Sequence, residues 1–278
     1  MTTEILFLCL ARDCAKTFPL FVNYLKRLNS NGFSCSAIIG ENNSKDNTRE
    51  IILQASGSGI ELLDTVFMAG VKSRLARMAL GRQALLDISR KRIINTDYII
   101  IADLDNAIKA PPESKHIHLA IERMTKDEHL FAVSAASSPV YYDLLSLRAD
   151  GFEFLENLNR EITVAKHKPL DYYRFHQRWI YNNQKKVTSL IPMRCRSSFN
   201  GFCLYRATDY FLGSYRADNE ADVCEHVSIN LSINRQTGKH ILIDENLVLK
   251  APEDHLPVNP VKFWLDRIRK HVSGLLCI

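Results

Sequence analysis

Residues 98–105 read Tyr98-Ile99-Ile100-Ile101-Ala102-Asp103-Leu104-Asp105. An apolar, β-branched run ends abruptly at two carboxylates separated by one leucine. A strand covered by helices on both faces of a parallel sheet has this composition, because neither face meets water. Ligands of such sheets bind just beyond the carboxyl ends of the strands, where Asp103 and Asp105 fall. Side chains two apart in an extended segment point the same way, so both carboxylates can face one ion. A divalent cation with oxygen ligands, Mn²⁺ or Mg²⁺, is the expected occupant, and a diphosphate is its expected partner.

Working outward, strand and helix alternate through the first half. Ile5–Leu10, Cys35–Gly40 and Ile60–Leu63 read as strands, Thr17–Leu28 as an amphipathic helix, and Ser44 or Asp46 as the cap of a helix reaching Ala55. Ser73–Arg92 reads as a long basic helix that precedes the 98–102 strand, followed by a helix over His116–Thr125 and a strand over Leu130–Ser134. This order predicts parallel βαβ units with right-handed crossovers, an α/β fold with a mostly parallel central sheet flanked by helices. The second half is less regular: a strand over Phe199–Tyr205, a helix start over Ala221–Asn230 and a strand pair over Ile241–Leu249.

Composition sets the outer limits. The chain has 278 residues, 46% hydrophobic and 24% charged, without a linker, repeat or low-complexity tract, so a single domain over 1–278 is expected. The formal net charge of +5 suits anionic ligands and is too small to indicate nucleic acid. No apolar run approaches the roughly 20 residues that span a bilayer, and no basic segment precedes the first strand, so no signal peptide is expected. The cysteines number seven. They include no C-x-x-C pair, and Cys9, Cys35, Cys203 and Cys224 lie in apolar runs, as reduced core thiols of a cytoplasmic protein do.

Several residues are candidates for a nucleotide site. Glu41, ending the second strand, can accept hydrogen bonds from a ribose or base, while Asp46 and Thr48 read equally as first-turn residues of a helix. Arg12, after the first strand, can clamp a phosphate or pair with Asp13 on the surface. Arg74 and Arg82 on the basic helix can neutralise further phosphate charge. Asn200-Gly201 combines an amide suited to a sugar hydroxyl with a backbone that allows close approach, and it reads also as a simple turn. In Glu220-Ala221-Asp222-Val223-Cys224-Glu225-His226, residues Asp222, Glu225 and His226 share a helical face. His226 can then join Asp103 and Asp105 around the metal, and Glu225 or Asp222 can meet the acceptor or a developing cationic sugar. A solvated first helical turn is the plainer alternative. Other histidines, His116, His118, His129, His167 and His176, lack metal-ligand spacing. The aromatic, basic stretch Tyr172–Tyr181 can stack on sugars or pack on the core. Pro260–Ile278 reads as a basic amphipathic helix, docked on the domain or lying on an anionic membrane surface.

Taken in order, the Ala11-Arg12-Asp13 turn, Glu41-Asn42-Asn43-Ser44-Lys45-Asp46-Asn47-Thr48, the basic helix with Arg74, Arg77 and Arg82, and the Asp103-Leu104-Asp105 strand end resemble a GT-A (Rossmann-like) glycosyltransferase. Tyr142-Asp143, Leu147-Arg148-Ala149-Asp150, Ser198-Phe199-Asn200-Gly201-Phe202 and Cys224-Glu225-His226 resemble segments of the fungal capsule-associated α-1,3-mannosyltransferase family and its bacterial relatives. Phe199 stands where that pattern has tryptophan, and Asp150 is one residue further from Arg148. The resemblance covers about Ile5 to Leu249. It implies a nucleotide-sugar-binding half over 1–135, in which Leu104 lies with the two aspartates at the donor, an acceptor-side half over 136–259, and the terminal helix over 260–278. It implies a metal-dependent, retaining transferase in polysaccharide biosynthesis with GDP-mannose as first donor, a UDP-sugar as second, and a glycan or glycolipid acceptor. A sugar-phosphate nucleotidyltransferase would share the sheet and metal but needs a Gly-rich basic loop that Leu10–Thr17 lacks. A non-catalytic carbohydrate- or partner-binding protein is the other alternative.

Overall fold

A computed structural model describes residues 2–105, 107–216 and 223–276, apart from the side chains of 92–94, 169 and 270–276. Eight strands form one sheet: β1 (Thr3–Ala11), β2 (Phe33–Glu41), β3 (Ile60–Asp64), β4 (Tyr98–Ala102), β5 (Leu130–Ser138), β6 (Met193–Cys195), β7 (Phe202–Arg206) and β8 (His240–Lys250), in spatial order β3-β2-β1-β4-β7-β5-β8-β6. Strands β1 to β4 are mutually parallel, and β5 is parallel to β8. The short β7 runs antiparallel between β4 and β5, and β6 runs antiparallel on β8 at the edge. The mostly parallel α/β architecture expected from the apolar strands is the one observed.

The helices are α1 (Phe18–Ser30), α2 (Thr48–Ala55), α3 (Arg74–Ser89), α4 (Ser114–Lys126), α5 (Leu158–Lys166), α6 (Pro169–Phe175), α7 (Tyr181–Thr188), α8 (Ala207–Tyr210), α9 (Glu225–Thr237) and α10 (Pro260–Leu276). Two buried clusters cover the two faces of the sheet. One includes Leu6, Leu8, Ile99 and Ile101 with Leu85 and Leu86 of α3; the other includes Phe7, Cys9 and Ile100 with Phe18, Phe21 and Tyr24 of α1. Adjacent residues of β1 and β4 thus face opposite cores. That is why both strands read as continuous apolar runs.

Strand directions decide where a ligand can bind. The chain leaves β1 toward β2 and β3, then crosses to β4 on the other side of β1, which creates a topological switch between β1 and β4. The ends of β1, β2, β4, β5 and β8 and the start of β7 all meet at the same sheet edge.

Three expectations need correction. β7 begins at Phe202 rather than Phe199, because Asn200 (φ 55°) and Gly201 (φ 83°) adopt left-handed backbone that a strand does not admit. Ile241–Leu249 is one long strand, not a pair: Glu245-Asn246-Leu247 bulges between the Asp244 and Val248 pairings with β5, which continue to Lys250. Arg123 of α4 anchors that bulge through ion pairs to Asp244 at 3.0 Å and Glu245 at 2.7 Å. The basic helix is shorter than expected, α3 ending at Ser89 before a 3₁₀ turn. At its start Ser73 caps α3, its hydroxyl accepting from the Ala76 amide. Among the described residues no helix is long and apolar enough to cross a membrane. Cys9, Cys14, Cys35, Cys195, Cys203 and Cys224 are free thiols.

Candidate functional site

Asp103 follows β4 directly, at the switch point. Its amide donates to the Gly201 carbonyl at 3.0 Å, so the turn before β7 continues the ladder and holds the aspartate backbone in place. Leu104 turns into the core, only 2% exposed, leaving Asp103 and Asp105 on the outer side. The Leu104 carbonyl accepts from the Thr17 hydroxyl at the start of α1.

Behind Asp103 lies Arg82, the largest fully buried side chain among the described residues. Its guanidinium donates to the Leu8 carbonyl at 3.0 Å and to Asp103 Oδ1 at 3.2 Å, and lies over the Phe199 ring. Burial opposes a charge there, but Asp103 and Glu225 more than offset it and hold the guanidinium protonated. Arg82 is 1% exposed and cannot relax into water, so it holds the partly exposed Asp103 carboxylate, 36% exposed, in place.

Asp103 itself is pushed up to about 7. Burial is the main cause; Arg82 opposes it, while the negative charges of Asp105, Glu225 and Asp143 add to it. Glu225, opening α9, is likewise raised, first by burial, against the pull of Arg82 and Arg74. Arg74 is exposed at the first turn of α3. The four carboxylates therefore converge from β4, the segment after β5 and the start of α9. Asp103 and Glu225, whose proton affinity is raised in this company, are the members a nearby cation would stabilise in their charged form.

Other candidates occupy more structural positions. Glu41 is fully buried: Oε1 accepts from the Ser44 amide and Oε2 from Arg49, both at 2.7 Å, so it organises its own turn. Asp46 also serves that turn, accepting from the amides of Ala15 and Thr48. Arg12 lies half-exposed, 3.7 Å from Asp13. Asn200 is wholly buried, its amide donating to the Ala135 carbonyl at 3.0 Å and its backbone N–H to Asp143 at 3.1 Å. Both groups join β5 to β7. His226 is buried, stacked on Phe199 with ring centroids 3.5 Å apart. Burial and then Arg82 hold its pKa far below the ordinary value, and its Nδ1 has no partner. Nε2 lies 3.5 Å from Glu225. The described residues include no group of three or more His, Cys, Asp or Glu side chains placed to hold a metal, so His226 is not gathered with Asp103 and Asp105. Asp222 lies outside the described residues.

Tyr142 and Asp143 belong to the site, though as single residues neither stood out. Asp143 accepts from the Asn200 amide and raises the proton affinity of both Asp103 and Glu225. Tyr142 holds its hydroxyl where a Cβ on Gly201 would come within 2.6 Å of it. Its own pKa is raised, first by burial and then by Asp103, Asp143 and Asp105. The signals available were the resemblance of the Tyr142-Asp143 segment and its position: both residues follow β5, whose end shares the sheet edge with β4.

No protein-family model matches the chain, and no curated protein does. Solved structures do resemble it. Glucosyl-3-phosphoglycerate synthase from Mycobacterium tuberculosis, in complex with Mn²⁺, UDP and glucosyl-3-phosphoglycerate, aligns at TM-score 0.48 and 12% identity over 99% of this chain and 79% of that one. Mannosyl-3-phosphoglycerate synthase from Rubrobacter xylanophilus aligns at TM-score 0.45 and 13% identity over 98% and 72%. These are likenesses of general architecture, and nothing about ligands passes from them to this chain.

Proposed function

We propose that the chain is a metal-dependent glycosyltransferase of GT-A type, which moves a sugar from a nucleoside diphosphate donor to a hydroxylated acceptor. The observation that carries this is Asp103 and Asp105 at the switch-point end of β4, with buried Arg82 beneath one of them and Glu225 and Asp143 converging from the second half. The residues fit Mn²⁺ or Mg²⁺ in one specific sense: two adjacent carboxylates, one with raised proton affinity, supply the oxygen ligands that such ions take alongside a nucleotide's phosphates and water. Asp103 and Asp105 would hold such an ion, which would supply positive charge to the diphosphate leaving group.

The chain's own groups do the rest. Arg82 fixes Asp103, and Arg74 at the rim meets phosphate charge from the first turn of α3. Arg12 is placed to do so from the end of β1. Glu225, buried and facing the same cluster, stabilises positive charge that develops on the sugar as the bond to the leaving group lengthens. The Gly201 turn admits the donor close to backbone, and Glu41 shapes the loop beside the ribose. His226 backs Phe199 and Arg82 rather than meeting the ligand directly.

GDP-mannose is the first donor we propose, with retention of configuration, on the segments that resemble the capsule-associated mannosyltransferases; a UDP-sugar is the second. We place the protein in the cytoplasm. α10 supports a peripheral membrane contact: Phe263 is buried against Tyr172 and Tyr173, while Val261, Leu265 and Ile268 face outward at 70%, 49% and 59% exposure.

A thermal-shift series with GDP and UDP, each with and without Mn²⁺, tests the function. A ligand that binds only the folded state raises the melting temperature by mass action. A rise that needs Mn²⁺ and disappears in Asp103→Asn is expected. No rise with either nucleotide and metal would overturn the reading.

A further inference from the structure

A cavity of about 260 Å³ adjoins the carboxylate cluster. Tyr142 and Asp143 form one wall, shared with the aspartates; the other walls come from α5, α6, α7 and the segment around His255. At roughly 30 Å³ of liquid volume per water, it has room for one ring-sized ligand and not for an extended oligosaccharide.

Its chemistry narrows the ligand further. The Gln184 amide nitrogen donates to the carbonyls of Tyr142 at 3.4 Å and His255 at 3.3 Å, which fixes the amide orientation. That leaves Gln184 Oε1 a buried acceptor with no partner. His176 Nε2 is buried and unpartnered as well. Two orphaned polar atoms on residues of one cavity require partners, since each costs about 1–3 kcal/mol unpaired. Around them the surface is apolar, from Leu144, Leu158 and Ile180. Charges of both signs line the wall, Lys166 and His255 with Asp143 and Asp254, and His255 lies 4.0 Å from Asp254. A ligand with both apolar faces and hydroxyl donors satisfies this set.

We infer that this cavity is the acceptor subsite and takes a neutral hydroxylated ring, a single monosaccharide unit. The inference rests on the glycosyltransferase reading. Gln184 accepts from one ring hydroxyl and His176 bonds another, while the Tyr142–Asp143 wall presents a third toward the donor. In the transfer, the acceptor oxygen forms a bond to the sugar's anomeric carbon on the face from which the diphosphate departs, as retention of configuration requires. The anomeric C–O bond to the diphosphate breaks, its electron pair leaving on the nucleoside diphosphate, and the acceptor's proton passes to the Asp143 carboxylate.

The test uses saturation-transfer NMR with free D-mannose, D-glucose and D-galactose as probes, on the wild type, Gln184→Leu and Ile162→Trp. Ile162 lines the cavity and is partly exposed, so a larger ring there fills space without entering the core. At least one sugar should give a signal on the wild type that falls fivefold or more in both variants. Their Mn²⁺-dependent nucleotide thermal shift should stay unchanged. Sugar signals unaltered in both variants, or no sugar signal on the wild type, would each overturn the assignment, as would loss of nucleotide binding in both variants. A wild type that binds sugars in this cavity but no nucleotide would instead refute the transferase reading.

Discussion

His176→Gln should flatten the acid limb of the stability profile. Burial pushes His176 down to about 4, with Arg267, His255 and Lys166 adding positive charge around it and Tyr172 and Tyr181 packed on its ring. An unfolded histidine titrates near 6.5. A group depressed in this direction leaves stability intact while both states are neutral. It removes stability as pH falls below 6.5, because the unfolded chain takes up a proton the folded one refuses, and the loss levels off below about 4. At pH 5 the unfolded imidazole is almost fully protonated and the folded one only about a tenth, a difference worth ~2 kcal/mol. Urea unfolding at pH 8 and pH 5 measures it: the wild type should lose about 2 kcal/mol more than His176→Gln between the two. His226, also depressed by burial, titrates in both proteins and cancels. Equal losses would show that His176 is solvated and protonates freely, and the enclosed cavity wall would be wrong.

Asp103→Asn and Asp105→Asn should each abolish Mn²⁺-dependent nucleotide binding by calorimetry while circular dichroism stays native; normal metal-dependent binding by both would remove the metal assignment. Glu225→Gln should leave donor affinity nearly unchanged and slow transfer at least about tenfold, ~1.4 kcal/mol of transition-state stabilisation, in a single-turnover assay. Arg49→Met should destabilise the fold more than Glu41→Ala, by chemical denaturation, because the first strands a 1%-exposed carboxylate while the second leaves a 38%-exposed guanidinium still paired with Asp64. Gly201→Ala should lower both stability and nucleotide affinity, since the added methyl needs the left-handed backbone and the space of the Tyr142 hydroxyl.

The parallel half was legible because two-sided burial writes itself as an unbroken apolar run. β4 is observed over Tyr98–Ala102, as read. Where a strand carries polar residues for a tertiary reason, sequence misleads. Asp244-Glu245-Asn246 looks like a turn, yet Arg123, more than a hundred residues earlier, makes it part of a bulge within β8. Helices α5 to α7 escaped notice because their aromatic and basic residues pack around a cavity and on α10 instead of forming a stripe against the sheet. At the site, Asp103, Asp105 and Glu225 stand out in the sequence as charges at a strand end and a helix start, whereas nothing local in the middle of α3 revealed Arg82 as the buried partner of Asp103. Glu41 and Asn200 looked available for ligand because nothing local revealed Arg49, Ala135 or Asp143 as their partners. Tyr142 and Asp143 are ordinary in composition, and beyond the resemblance of their segment only their place after β5 marks them.

β7 has a consequence for how the chain reaches this state. Five residues, Phe202–Arg206, hydrogen-bond β4 on one side and β5 on the other, so among the described residues they form the strand that joins β1–β4 to β5, β8 and β6. They follow β4 by about a hundred residues. Closing so long a loop costs entropy before any pairing rewards it, and such non-local pairings slow folding. Until β7 inserts, β4 presents an apolar, unpaired edge, the kind of surface that recruits other chains. During synthesis that edge stays open until residue 206 has emerged, roughly 5–20 s at 5–20 residues per second. Asp103, at the tip of the same edge, acquires its Gly201 bond in the same event, so the sheet closes and the aspartates are fixed in a single step.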